Sequence, residues 1–470
     1  MGQKEQGFEN INDVSIQEAK VFLANGFSLE ITSAILDLDI FEHIEKPYLT
    51  AVMGFSDFGG ISDFLSLNGG ERVEIIISTT HSGTGEGVVV KEVPKTFYID
   101  KILTSKKLSE NEEFFIAHLI EDIGFLSKTK NVNRSYSGSG SEIMEKVADE
   151  FLARKIDILT TGEDQYMKLI VPNMNPIETL SWIKNRLTTV QGYPFYFYST
   201  LVQTIEPACA TPNRGLELTD LNFLLTQAPM NPQEPFLYSQ SAANVTEGNN
   251  MSLQQRRNIL SYESTNVGNV FSLLEKGLIG SEYNYLDVTK YNQNEFEFDI
   301  ESDVNKKFKG SKIINNRSNL DVLKYDWSNN EPPKTKKITQ IGGTTSYDEW
   351  ESFSEAPDKA RYKNKVTAMS MSKLLVKDPI NINVNGYDFL DGNMNTSIGR
   401  KIRILFAKNK NDTSDTDDTD SLFDLNKSGD FLIFGCKHAI RQEGYTISMT
   451  AVKVSNEGTL EVPIELKGDE

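Results

Sequence analysis

Alternating apolar and polar positions dominate the first hundred residues. In "SAILDLDIFEHI" (Ser33–Ile44), Ile35, Leu38 and Ile40 sit among Asp37, Asp39 and Glu42. That spacing predicts a strand with the three acids at its polar positions. "ERVEIIIST" carries Ile75, Ile76 and Ile77 in a row and reads as a buried strand. "GVVVKEV" and "KTFYIDKIL" read as two more strands, and "FGG", "NGG" and "SGTGEG" punctuate them. Short strands at this spacing predict a small barrel or sandwich over residues 1–104.

The period changes after residue 104. "FFIAHLIEDI" has the aromatics of a strand and the length of a helix; it leans to strand, with helix as the alternative. "SGSGSEIMEKVADEFL" predicts a helix: Ser139 and Glu142 make a capping box, and Ile143, Val147 and Phe151 recur on one face. "NPIETLSWIKNRL" predicts a second helix, with Asn175 as cap, Pro176 in the first turn, and a stripe of Ile177, Leu180, Ile183 and Leu187. "YPFYFYSTL" returns to strand, completing an α/β unit over 105–200. "QAPMNPQEP" interrupts regular structure. Beyond it, "QQRRNILSYES" and "NVFSLLEKGL" predict helices, and "NEFEFDIES" predicts a strand with Phe296, Phe298 and Ile300 on its dry face. From 366 onward the chain is again strand-rich: "KLLVKDPININVNG", "RKIRILFAK", and a closing hairpin, "GDFLIFGCKHAIRQEGYTISMTAVKVS". On that hairpin His438 alternates with Leu432, Phe434, Cys436 and Ile440, which predicts a structural histidine at a core edge.

Composition narrows the chemistry. The 470 residues allow about three domains, and 38% hydrophobic content is enough for several cores. A formal net charge of −19 disfavours nucleic-acid or anionic-membrane binding, though it suits a conduit along which DNA slides. Two cysteines, Cys209 and Cys436, exclude a disulfide scaffold and argue against a cysteine zinc site. The beginning "MGQKEQGFEN" fits neither a signal peptide nor a myristoylation site, and no apolar run is long enough to span a membrane. A soluble product of a reducing cytoplasm is expected.

No motif carries catalysis. His43, His81, His118 and His438 lack metal-ligand spacing. Gly83, Gly85 and Gly87 precede a strand rather than a helix, so a hairpin turn is favoured over a phosphate cradle. "SGSGSE" precedes a helix but lacks a Walker lysine, and capping accounts for it. Asp412, Asp415, Asp417, Asp418 and Asp420 lack the glycine and the final glutamate of a calcium loop; a solvated loop is favoured. The expectation is a protein with no catalytic, cofactor or metal site.

Several stretches resemble the baseplate central hub protein of contractile-tailed bacteriophages. The opening carries Pro47-Tyr48-Leu49, Ser56-Asp57, Phe64-Leu65, Gly70-Glu71 and the strand Val73 to Ile77 in that family's order. "VNRSYSGSGSEIMEKVADEFL", then "MNPIETLSWIKNRL" with "YPFYFYSTL", resemble its inserted α/β domain. "GLIGSEYNYLDVTK" is similar to a segment of its later insertion, and the final hairpin is similar to its terminal one. Regions around 240–265, 305–365 and 410–428 match none of it.

The resemblance implies a β-rich α+β multidomain fold: two tail-tube-like β-barrels with inserted α/β domains. The first barrel would span 1–104 and the inserted unit 105–200. The second barrel would be discontinuous, 201–225 with 366–458, around a second insertion at 226–365 and before a tail at 459–470. The last hairpin would close the second barrel. The resemblance further implies a homotrimeric ring of pseudo-sixfold symmetry in the virion baseplate, assembled in the host cytoplasm. Its partners would be a central spike protein, tail-tube or tube-initiator proteins and baseplate wedge proteins, with DNA only passing through an acidic lumen and no membrane insertion. The alternatives are a tail-associated cell-wall glycan hydrolase and a receptor-binding tail protein.

Overall fold

A computed structural model describes residues 14–23, 26–57, 69–82, 88–109, 112–162, 164, 166–201, 215–232, 235–238, 257–264, 270–287, 292–306, 337–341, 346–347, 357–376, 379–386, 389, 397–407, 423–424, 427–441 and 444–455. The dominant element is a 13-stranded sheet. Its first seven strands are β1 (Val14–Phe22), β2 (Ser28–Glu30), β3 (Ile35–His43), β4 (Thr50–Asp57), β5 (Arg72–Ser82), β6 (Val88–Ser109) and β7 (Glu112–Glu121). The other six are β8 (Phe236–Tyr238), β9 (Ile259–Ser264), β10 (Pro379–Asn385), β11 (Lys401–Phe406), β12 (Gly429–Arg441) and β13 (Gly444–Ser455). The order is β9-β10-β13-β12-β3-β4-β7-β6-β5-β1-β2, with β11 on β12 and β8 on β11.

The sheet curls into two barrels. In the first, β3, β4, β7, β6, β5 and β1 pair in turn. The ring closes where Ile31 N–H donates to the Ala19 carbonyl at 2.8 Å and Ala19 N–H donates to Thr32 Oγ1 at 2.8 Å, just before β3 begins. In the second, β12, β13, β10 and β9 pair in turn, and β12 also holds β11, which holds β8. A parallel bridge between Leu237 and Asn258 closes that ring from β8 to β9. The barrels are joined by antiparallel pairing of β3 with β12, from Gly435 opposite His43 to Arg441 opposite Asp37. Closure leaves few open strand edges, and one apolar core runs through both barrels.

Three smaller sheets lie outside this wall. In the inserted unit, Tyr166–Ile170 pairs with Ser135–Ser139 and Ser346–Tyr347. Phe195–Ser199 pairs with Leu216–Asp220, which pairs in parallel with Ile156–Leu159. Helices Asp122–Lys128 (α1), Gly140–Val147 (α2) and Pro176–Lys184 (α3) pack on these sheets around Ile143, Val147, Leu180 and Ile183. Helices Leu221–Thr226 (α4), Val270–Glu275 (α5) and Pro357–Leu375 (α6) follow. The third sheet, Asn292–Asp299, Gly280–Asp287 and Lys337–Ile341, packs with α6 against Leu432, Phe434, Val452 and Val454 of the last hairpin.

The capping signals hold. Ser139 accepts from Glu142 N–H, and Asn175 Oδ1 accepts from Glu178 N–H at 2.8 Å. "FFIAHLIEDI" is strand through Glu121, and only then does α1 begin. Phe296, Phe298 and Ile300 are buried as the alternation predicts.

Four readings are corrected. "GVVVKEV" and "KTFYIDKIL" are one strand, β6: Pro94 faces Ile76 of β5, while β7 begins pairing only at Phe97, so the proline blocks no ladder on its second side. "QQRRNILSYES" is strand rather than helix over Ile259–Ser264, because pairing with β10 overrides local propensity. In "KLLVKDPININVNG", Lys373 to Leu375 end helix α6, and the strand starts at Pro379. On β12, Leu432 and Phe434 do not share a face with Cys436 and Ile440. A bulge between Ile433 and Gly435 reverses the parity, so the first pair faces the insertion and the second the barrel core.

Candidate functional site

A buried polar cluster lies at the join between the barrels. β3 presents Leu38 and Ile40 to the core, and Glu42 shares their parity. Glu42 therefore points inward, not to the polar face that its charge suggested, and it is buried. Beyond its bulge β12 turns Cys436, His438 and Ile440 inward, and β13 turns Tyr445 toward them. His438 Nε2 lies 3.1 Å from Glu42 Oε2, and His438 Nδ1 lies 2.7 Å from the Tyr445 hydroxyl. Ser397 Oγ donates to the same carboxylate oxygen, and Leu201 N–H donates to the other.

Every member has a partner. With Nε2–H donating to the carboxylate, a neutral ring accepts the tyrosine proton at Nδ1. Burial pushes the Glu42 carboxyl up. The His438 ring, the Ser397 hydroxyl and the Leu201 amide outweigh it and hold the group below the usual carboxylate range. Burial pushes the Tyr445 hydroxyl and the Cys436 thiol well up, so both stay protonated. What the geometry shows is a lock: four hydrogen bonds tie β3, β12, β13 and two crossovers together. Ser397 bonds the acid instead of the imidazole, the hydroxyl that does meet the imidazole belongs to the buried Tyr445, and His438 is itself only 1% exposed.

Two further clusters flank the crossover after Phe195–Ser199. Glu121 Oε2 accepts from Leu49 N–H at 2.8 Å and from Ser199 Oγ at 3.1 Å, while Lys95 Nζ reaches the Thr200 carbonyl at 3.1 Å and Glu121 Oε1 at 3.7 Å. Tyr198 Oη donates to Glu217 Oε2 at 3.0 Å, and Arg400 approaches Glu217 Oε1 at 4.0 Å. Burial raises the Glu217 carboxyl, with Arg400 pulling the other way. These clusters join the inserted unit to both barrels.

The remaining histidines are dispersed. His43 Nδ1 accepts from Glu45 N–H at 3.2 Å. His118 Nδ1 lies 3.1 Å from Asp100 Oδ2 on the sheet surface. His81 belongs to β5, and its side chain lies outside the described residues. Gly83, Gly85 and Gly87 also lie outside them, between strands that pair as far as Ser82 opposite Val88. Asp412, Asp415, Asp417, Asp418, Asp420 and Cys209 lie outside them too. Among the described residues, no group of three or more His, Cys, Asp or Glu side chains could hold a metal ion, and no helix is long and apolar enough to cross a membrane.

Sequence reasoning found His438 and missed its partners. Glu42 and His438 are 396 positions apart, and only the β3–β12 pairing brings them together. The available signal was parity: an acid in step with Leu38 and Ile40.

No family model and no curated protein matches the chain. Solved structures do. The 43 kDa tail protein of prophage MuSo2 from Shewanella oneidensis is 9% identical, with a TM-score of 0.50 over 93% of this chain and 98% of that one. A tail protein from Neisseria meningitidis MC58 is 12% identical, with a TM-score of 0.48 over 94% and 98%. The E. coli c3393 protein, a component of the type VI secretion system, is 9% identical, with a TM-score of 0.37 over 96% and 80%. The chain thus has the β-rich fold of a phage tail protein, and the recognised likeness to tail proteins holds at the level of structure.

Proposed function

We propose that this chain is a structural component of a phage tail: the central hub of a baseplate, acting through interfaces and not through catalysis. The observation that carries the reading is the pair of barrels fused into one continuous sheet, a fold shared end to end with a phage tail protein. Two similar units in one chain are what a joint between threefold and sixfold partners needs, since three copies present six barrels. In this reading the chain forms a homotrimeric ring in the virion. It binds a central spike protein on one side and tail-tube or tube-initiator proteins on the other, with baseplate wedge proteins around it and DNA passing through the lumen.

The division we propose differs in its bounds from the one the sequence suggested (1–104, 105–200, 201–225 with 366–458, and 226–365): the first barrel runs through Glu121, where β7 ends, and the second takes β8 and β9 from within 226–365 together with the strands after 378. Because Leu216–Asp220 pairs inside the sheet of the inserted unit, it supports extending that unit beyond residue 200.

Light scattering on the purified chain, alone and mixed with a central spike protein from the same source, tests the reading. A trimer, or a three-to-three complex with the spike, is the expected result. A chain that stays monomeric in both mixtures refutes it.

A further inference from the structure

β10 ends on a chemically labile pair, Asn385 followed by Gly386. Asparagine is a labile residue, and before glycine it loses its side-chain amide most readily, because no Cβ shields the next backbone nitrogen. The packing explains why such a pair stands here. A Cβ at residue 386 would lie 2.3 Å from the Tyr445 ring, so a side chain there must displace a member of the buried cluster. Asn385 continues a row: Asn381, Asn383 and Asn385 alternate along β10, each half-buried and opposite a hydroxyl residue of β13, Thr450, Ser448 and Thr446 in turn.

The same packing holds the reaction off. Loss of the amide begins when the Gly386 nitrogen, stripped of its proton, attacks Asn385 Cγ. The N–Cγ bond forms, the Cγ–Nδ2 bond breaks, and Nδ2 leaves as ammonia with the displaced proton. Water then opens the cyclic imide at either carbonyl, and residue 385 becomes aspartate or isoaspartate. In the folded chain that nitrogen is engaged. Gly386 is buried, its N–H donates to the Tyr445 carbonyl at 3.1 Å, and its carbonyl accepts from Phe389 N–H at 3.0 Å. Pairing with Thr446 keeps Asn385 extended. The chain's other Asn-Gly pairs, Asn25-Gly26 and Asn68-Gly69, are held differently: Gly26 N–H donates to the Leu23 carbonyl and Gly69 N–H to Glu71 Oε2, close by in sequence. Only at Gly386 does a distant strand hold the nitrogen.

We propose that Asn385 is a site of spontaneous deamidation gated by β13. With the terminal hairpin in place the site is closed; in a chain whose hairpin has not docked, or has come away, it is open. The change is one-way. Either product adds a charge to β10, and isoaspartate also lengthens its main chain, so that Gly386 no longer meets Tyr445. A chain left open thereby loses the means of closing.

The full-length chain is incubated at neutral pH, native or in guanidinium chloride. Residue 385 is followed by peptide mapping, with chromatography and mass together separating asparagine, aspartate and isoaspartate. Asn381 and Asn383 are the controls: they share the strand but precede Ile382 and Val384, whose branched side chains crowd the nitrogen. In denaturant, conversion at residue 385 should outrun that at 381 and 383. In the native chain it should be at least about tenfold slower, because the site must first open. After refolding, converted chains should be depleted from the soluble fraction. Equal rates at residue 385 in both states overturn the gate. Conversion in denaturant no faster than at 381 and 383 overturns the site. Converted chains that refold as well as unconverted ones overturn its consequence.

Discussion

At the scale of the residue, Glu42 is the position whose removal is most informative. Its carboxylate meets an imidazole, a hydroxyl and an amide inside the wall that joins the barrels. Glu42→Ala strands the other members without an acceptor and should cost roughly 1–3 kcal/mol for each buried donor left unsatisfied, read as a loss of urea midpoint. A loss under about 1 kcal/mol would remove the lock from the account. The pH dependence has a definite sign. Folding holds the Glu42 carboxyl below its unfolded value of about 4.3, so its contribution is complete above that pH and is lost as pH falls through the folded value. Melting temperature should therefore drop less between about pH 5 and about pH 3 in E42Q than in wild type. Gly386 makes a second point. A Cβ there would lie 2.3 Å from the Tyr445 ring, so Gly386→Ala must push the ring away from His438. A destabilisation of about 1–3 kcal/mol is expected by calorimetry.

At the scale of the element, legibility followed the range of the cause. Caps are local, so Ser139 and Asn175 could be read directly; Asn175→Ala should lower stability by about 1 kcal/mol in thermal melts, the usual cost of an N-cap. Phe296, Phe298 and Ile300 obeyed simple alternation for the same reason. β12 did not, because its identity changes along its length. Residues up to Leu432 hold β11, residues from Gly435 hold β3, and the bulge between them turns the strand from one barrel to the other. No count of periods in "FLIFGCKHAI" contains that corner. Ile259–Ser264 was misread as a helix for a related reason: its partner, β10, lies over a hundred positions away. The hairpin holds a greater share of the structure than closing one barrel. Deleting Gly429 to Glu470 removes β12 and β13, and with them the join to β3 and the lining of the insertion's core. The truncated chain should be insoluble or lack a cooperative melt; a soluble, assembly-competent truncation would contradict this.

At the scale of the whole molecule, the sequence indicated two barrels and an inserted unit but not their fusion. The edge that β3 offers to β12 is invisible in β3 itself, whose alternation describes faces and is silent about neighbours. That same pairing has a consequence in time. A ribosome that has just released Glu42 must still add 396 residues before His438 exists. At about 5–20 residues per second this takes about 20–80 s, far longer than a hairpin needs to form. From the completion of β7 at Glu121 to the end of that interval, the first barrel has a bare strand edge with a solitary acid beside it, on a chain still tethered to the ribosome. Long-range closure of this kind slows folding and exposes the chain to neighbours on the same polysome. A formal net charge of −19 makes copies of the chain repel one another, which opposes their association until the last strand arrives.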